Sequence, residues 1–319
     1  MSPTEKGISV VIPVYNSAPI LPELVARLTR VLAGTGLQYE IILVNDGSRD
    51  ASWKVICALA TQEPYLHGVC LMRNYGQHNA LLCGIREARL DWIVTMDDDL
   101  QNPPEEIPKL LATLTEGWDV VYGTPEREKH GLLRDFASVF TKAVLQKAMG
   151  ASTARQVSAF RIFRAQVREA FSNYRGSFVS IDVLLTWGTS RFFAIKVRHD
   201  ARINGRSNYG VAKLVRHAFN MLTGFSTLPL QIASFVGFAF TGFGFAVLAY
   251  VIGRYLLQGS SVPGFPFLAS IIAIFSGAQL FAIGIIGEYL ARMHFRTMDR
   301  PAYTVRSLEE SLSARHKST

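Results

Sequence analysis

The sequence predicts an α/β fold, a parallel sheet covered by helices, followed by two membrane-spanning helices. Three observations predict it. Short β-rich apolar runs alternate with helical patterns over residues 8–123, polar residues gather where those runs end, and two long C-terminal segments carry no charge.

The strand candidates come in order as ISVVIPVY (8–15), YEIILVND (39–46), LHGVCLM (66–72) and DWIVTM (91–96), with DVVYG (119–123) and RFFAIKVRH (191–199) after them. The first four are separated by helical patterns such as ILPELVARLTRVLAG, so the chain must cross over between parallel neighbours. From Leu228 to Ile252, and again from Val262 to Gly287, there is no charged residue, which is long enough to cross a bilayer. Two buried core helices would rarely stay charge-free for that distance. Lys213, Arg216 and His217 precede the first span, and Arg292, His294, Arg296 and Arg300 follow the second, whereas the connecting loop carries Arg254 at its edge. That asymmetry predicts cytosolic termini and a cytosolic N-terminal domain. Residues 208–227 repeat Val211, Leu214, Val215, Ala218, Phe219 and Leu222 on one face, which predicts a helix lying in the interface or packed on the domain. The expected divisions are 1–207, 208–227, 228–290 and a tail at 291–319.

A hydrophobic content of 49% is high for a wholly soluble protein, and the net charge of +8 favours a negatively charged partner without choosing among lipid, nucleic acid and phosphorylated substrate. Cys57, Cys70 and Cys83 lie in apolar runs without CxxC spacing, so reduced thiols are expected. The N-terminal stretch MSPTEKGISVVIPVY lacks the pattern of a cleaved signal peptide.

In a parallel sheet with helical crossovers, ligands bind beyond the carboxyl ends of the strands. There the sequence places Tyr15 and Asn16, Asn45 and Asp46, Arg73 and Asn74, and Asp97 to Asp99. If residues 96–99 stay extended, Asp97 and Asp99 share one face and Asp98 takes the other. Two converging carboxylates repel unless a cation sits beside them, and Mg2+ or Mn2+ suits an all-oxygen set. Sixth and twelfth positions of Asn102 and Pro108 exclude an EF-hand. The acids could instead cap the helix that starts at PPEEIPKLL. Neither GxGxxG nor GxxxxGK[ST] occurs in a suitable context, which leaves a nucleotide diphosphate-sugar as the better fit to such a metal site.

Together, VVIPVYN, LVNDGS, RNYGQHNALLCGI, MDDDLQNPPEEIP and the spans ending in GIIGEYLARM resemble the family 2 polyisoprenyl-phosphate glycosyltransferases, which have a GT-A fold. The resemblance runs from Ile8 to about Tyr303, and RNYGQH is most similar to the undecaprenyl-phosphate 4-deoxy-4-formamido-arabinose transferases. It implies transfer of a sugar from a UDP-sugar to polyprenyl phosphate at a bacterial cytoplasmic membrane, with Mg2+ or Mn2+, no nucleic-acid partner and a homo-oligomer. By motif, Pro13 and Tyr15 would line the nucleotide pocket and Asp46 would meet the uracil. Arg73 belongs to the same polar rim, and Asp97, Asp99 and Gln101 would hold the metal. Arg202, helped by Arg206, would approach the diphosphate, and Arg134 and Ser138 would take the acceptor phosphate. Three positions depart from the pattern: Ser17 and Asn208 replace an acid and a lysine, and Ala159 stands where many relatives carry an acid proposed as base. Those departures give some support to a silent nucleotide-sugar-binding anchor. A polysaccharide synthase is disfavoured by the absence of QxxRW and by only two spans.

Overall fold

The computed structural model describes residues 6–125, 156–176, 179–200, 228–258, 264–298 and 300–309. The expected interfacial helix at 208–227, and Arg134, Ser138, Arg202, Arg206 and Asn208, lie outside those residues. Two compact units emerge, one containing the N-terminal part of the chain together with its C-terminal end, the other formed by residues 212–298.

The first unit is built on an eight-stranded sheet. Its strands are β1 (Gly7–Val14), β2 (Gln38–Asn45), β3 (Leu66–Leu71), β4 (Trp92–Thr95), β5 (Val120–Pro125), β6 (Arg161–Arg164), β7 (Phe192–Val197) and β8 (Val305–Glu309), in the order β7-β5-β6-β4-β1-β2-β3-β8. Every residue of β1 is buried, as expected of a central strand covered on both faces. Its one polar interior residue, Ser9, is satisfied: the hydroxyl donates to Glu40 Oε1 at 2.6 Å, and the same oxygen accepts the Arg89 N–H. Helices α1 (Leu21–Ala33), α2 (Ser52–Gln62), α3 (Gln77–Glu87), α4 (Ile107–Thr115) and α5 (Ile181–Gly188) accompany the sheet. Helix α1 buries Leu21, Leu24, Val25, Leu28 and Leu32, the repeat of a single apolar face.

The strands predicted from the sequence all run in one direction, and two further strands make the sheet mixed. Strands β1, β2, β3 and β4 are mutually parallel, but β6 runs antiparallel between β4 and β5, and β8 runs antiparallel on the β3 edge. Neither was read from the sequence. Strand β6 is only four residues long, and an arginine stands at each end. Arg161 is nevertheless 1% exposed, because it pairs with Asp182 at the start of α5. Its Nε also donates to Thr95 Oγ1 at 3.0 Å, while the Tyr122 hydroxyl donates to Asp182 at 3.2 Å. Burial pushes the Tyr122 phenol well above its usual range. Strand β8 falls in what reads as a polar tail and has alternating exposure, as an edge strand should.

The second unit consists of α6 (Leu228–Gln258) and α7 (Phe265–Thr297). Stretches 230–257 and 274–291 have mean hydropathies of 2.1 and 1.5, and their most apolar windows contain no buried residue. Both helices exceed the ~20 residues that cross a hydrocarbon core. Phe240 and Phe275 pack edge to face with centroids 5.8 Å apart. The thiols of Cys57, Cys70 and Cys83 are free, and burial pushes Cys83 up to about 12, too high for a nucleophilic role.

Candidate functional site

Strand order reverses between β4 and β1, so the loops after these strands diverge and leave a crevice at their carboxyl ends. A cavity of about 290 Å³ opens there, lined by Pro13, Val14, Tyr15, Asp46, Asn74, Gly76, Gln77 and Asp97 to Asp99. Four consecutive parallel strands therefore deliver to one place the polar ends that the sequence predicted. Gly76 and Gln77, at the entry to α3, were not singled out; the RNYGQH motif held the signal, since a glycine there precedes a helix start.

The three aspartates do not alternate as expected. Strand β4 ends at Thr95, Asp98 and Asp99 form a turn, and Leu100 adopts φ +57°. All three acids consequently border the same cavity. Asp97 Oδ1 accepts from the Gln77 amide at 2.5 Å, and Asp99 Oδ1 accepts the Gln101 N–H at 3.2 Å. Asp98 reaches the β1 loop, where it accepts the Tyr15 N–H at 3.4 Å and bonds the Ser17 side chain. Burial pushes the Asp98 carboxyl up, opposed by those hydrogen bonds and assisted by the charge of Asp99. The acids do not cap the helix that follows: neither Pro104–Glu106 nor α4 has a side-chain N-cap bond. Asn102 is instead buried against His199, Oδ1 to Nδ1 at 3.3 Å.

Asp46 holds the opposite wall. Its two oxygens accept the backbone N–H groups of Tyr75 and Gly76 at 2.7 and 2.9 Å, and burial, partly countered by these bonds, raises its pKa. The next residue, Gly47, has φ +64°, and a Cβ there would fall 2.4 Å from the Arg73 carbonyl carbon and 2.5 Å from the Asn74 nitrogen. Both obstacles are backbone. Gly36 has a similar φ of +68° but open space around it, so the two glycines separate strain from crowding. Gly36→Ala is expected to cost about 1 kcal/mol of stability, and Gly47→Ala at least ~2 kcal/mol because the β3–α3 loop must also move. Thermal unfolding of the two variants checks this. Equal losses would contradict the tight packing at Gly47.

The other sequence-predicted residues divide clearly. Pro13, Tyr15, Asp46, Asp97 and Asp99 line the cavity. Arg73 does not line it; its guanidinium stacks 4.6 Å above the Tyr75 ring. The Gln101 side chain is likewise absent from the lining, and its carbonyl accepts the Asp200 N–H at 2.8 Å. The Ser17 hydroxyl lies within reach of the Tyr15 carbonyl at 3.2 Å and of Asp98. Ala159 sits beside the end of β4, where its carbonyl accepts the Thr95 hydroxyl at 2.9 Å, and its side chain offers no proton acceptor.

Among the described residues, no group of three His, Cys, Asp or Glu side chains is arranged to hold a metal by itself. The donor set still fits a hard divalent ion. Three carboxylates border one small cavity, and the half-buried Asp98 carboxyl is pushed up by desolvation and by the neighbouring charge of Asp99. Mg2+ and Mn2+ sites commonly take one or two carboxylates and complete their shell with substrate phosphates and water.

Comparison with known proteins gives consistent results. Residues 9–172 match the model described as glycosyl transferase family 2. Relatives named undecaprenyl-phosphate 4-deoxy-4-formamido-L-arabinose transferase include that of Shewanella sediminis, 37% identical over 94% of this chain and 92% of its own length. The Proteus mirabilis relative is 36% identical over 97% and 96%. Among solved structures, glucosyl-3-phosphoglycerate synthase from Mycobacterium tuberculosis, in complex with Mn2+, UDP-glucose and phosphoglyceric acid, superposes with a TM-score of 0.52 at 16% identity, covering 68% of this chain and 78% of that one. Mannosyl-3-phosphoglycerate synthase from Rubrobacter xylanophilus gives 0.52 at 17% identity, covering 82% and 79%. At such identities these two establish a shared GT-A fold.

Proposed function

The chain belongs to glycosyl transferase family 2 and is a glycosyltransferase, and from that premise we propose that it transfers a sugar from a UDP-sugar to undecaprenyl phosphate. The observation that carries the donor half is the gathering of Tyr15, Asp46 and Asp97 to Asp99 around one cavity at the strand-order reversal. The acceptor half rests on the shared name of the relatives, which makes 4-deoxy-4-formamido-L-arabinose the first sugar to test.

In this reading Pro13 and Tyr15 flank the nucleotide, and Asp46 keeps lone pairs for the uracil while it fixes the loop at Tyr75 and Gly76. Asp97 and Asp99 would hold Mg2+ or Mn2+, joined by Gln101 once its side chain turns into the cavity, and the ion would neutralise the diphosphate. The N–H of Asp200, two positions before Arg202 in the sequence, donates to the Gln101 carbonyl next to the acidic turn. Arg202 and Arg206 would then meet the diphosphate, and Arg134 and Ser138 the acceptor phosphate, with Ser17 and Asn208 as altered donor contacts. In this reading the helical unit would anchor the enzyme in the cytoplasmic membrane, as its two long apolar helices support. The positive residues on either side of the helical unit would then keep both of its ends on the cytosolic face.

No base is supplied at Ala159, and none is required. A phosphate monoester has a second pKa of about 6 and reaches the site largely as a dianion, already nucleophilic. Arg134 orients it for direct displacement at the sugar carbon, which inverts that centre. The acidic limb of the pH-rate profile is therefore expected to follow the acceptor. A phosphonate analogue with a higher second pKa should shift the limb upward when chemistry limits the rate, and a limb that stayed fixed would reveal a protein base.

Isothermal titration of UDP into the full-length protein with and without Mn2+ tests the donor site. Metal-dependent binding that Asp99→Ala weakens supports the assignment; binding indifferent to both would remove the acidic turn from it.

A further inference from the structure

The cavity wall formed by Asn74, Gly76 and Gln77 lies on a loop that buries little of its own surface: Met72, Arg73 and Asn74 are exposed. Such a segment opens at low free energy unless contacts from outside hold it. On the cavity side it is held by Asp46, through the Tyr75 and Gly76 N–H groups, and it ends in the Gln77 amide that donates to Asp97. On the other side it is held by residues that follow the second long helix.

Those residues are 303 to 306. The Met72 N–H donates to the Thr304 carbonyl at 2.9 Å, and the Arg306 guanidinium donates to the Met72 carbonyl at 3.0 Å, so both backbone groups of Met72 are taken. Thr304 also hydrogen-bonds the Tyr75 hydroxyl, beneath the stacked Arg73. Tyr303 continues the grip onto α3, where its hydroxyl accepts from Arg86 at 3.4 Å. The ladder between β3 and β8 shifts register between Cys70 and Leu71, where the strand gives way to this loop. Residues 303 to 306 lie outside the segment 9–172 matched by the family model.

We infer that Tyr303, Thr304 and Arg306 are positioning residues for the cavity: the strand that returns from the helical unit clamps the β3–α3 loop against Asp46 and thereby fixes Gly76 and the Gln77–Asp97 contact. A chain cut after β7 would keep Asp46, Asp97 and Asp99 but would lose the outer half of this clamp. That the clamped wall receives UDP rests on the reading above; the clamp itself does not.

The test uses full-length protein in detergent or nanodiscs, with Thr304→Val and Tyr75→Phe as mild probes and Ser307→Ala, further along the same strand, as control. Amide hydrogen exchange at residues 72–77 is expected to speed up about tenfold in both probes, the effect of weakening one hydrogen bond that restrains the loop, and to stay unchanged in the control. UDP affinity should fall about three- to tenfold in each probe, and the double variant should be no worse than Tyr75→Phe alone, because that change already removes the bond that Thr304→Val breaks, together with those from the Thr304 backbone and Arg73. Unchanged exchange at Tyr75 and Gly76 in both probes overturns the clamp. Faster exchange with unaltered UDP affinity overturns its role in positioning the cavity. If the unmodified protein bound no UDP, the donor assignment would fail, while the exchange data would still decide whether the strand fixes this wall.

Discussion

Asp99→Ala is expected to reduce turnover about a thousandfold, on the order of 4 kcal/mol of transition-state stabilisation, while the protein remains folded. The side chain borders the cavity in a turn rather than in a strand, and its bond to the Gln101 N–H is not a core contact. Its loss therefore removes negative charge that a diphosphate-bound cation needs without creating a void. Asp98 sharpens the comparison. Because it ties the acidic turn to Tyr15 and Ser17, Asp98→Ala should loosen the turn, whereas Asp98→Asn keeps an acceptor and should lose only about tenfold. Turnover and UDP affinity measured together separate the cases. An Asp99→Ala enzyme with more than a tenth of normal turnover would contradict the assignment of Asp99.

The largest stability effect is expected at Asp182. Removing it leaves the Arg161 charge buried without a counter-charge and takes the acceptor from the Tyr122 hydroxyl, a change that costs about 3–5 kcal/mol. The double replacement Arg161→Met with Asp182→Leu should recover most of the loss, since the penalty lies in the unpaired charge rather than in the absence of a bridge. The pair between Arg27 and Glu105, at 2.6 Å but partly exposed, provides the contrast: Glu105→Ala should cost no more than about 1 kcal/mol. Thermal unfolding of the variants gives the ranking. Comparable losses at Asp182 and Glu105 would contradict the buried network. The network also touches function, because Arg161 and Ala159 both bond Thr95, the last residue before the loop of the acidic turn.

Much of this arrangement was legible in the residues because the core obeys local rules. Strands β1 to β4 are apolar runs with helical patterns between them, and of the polar residues at their ends Tyr15, Asp46, Asn74 and Asp97 to Asp99 border one cavity, whereas Asn16, Asn45 and Arg73 do not line it. Strands β6 and β8 were hidden for opposite reasons. The arginines of β6 look solvated until Asp182, remote in sequence, neutralises Arg161; β8 alternates in a polar segment whose apolar partner, β3, lies far back in the chain. The alternation assumed for Asp97 to Asp99 failed because the strand stops at Thr95 and a turn begins at Asp98, and no propensity in a row of aspartates marks where a strand stops. The contacts of residues 303–306 depend on tertiary placement alone. Nothing local in the sequence announces them.

The most direct measurement incubates the purified full-length protein in nanodiscs with UDP-4-deoxy-4-formamido-L-arabinose, undecaprenyl phosphate and Mn2+, and follows UDP and the lipid-linked sugar together. One UDP released for each glycolipid formed, with neither product when the lipid phosphate is omitted, is the expected result. UDP binding without glycolipid, under conditions where a Proteus mirabilis relative turns over, would contradict a transferase acting on this lipid and leave a nucleotide-sugar-binding membrane protein in its place.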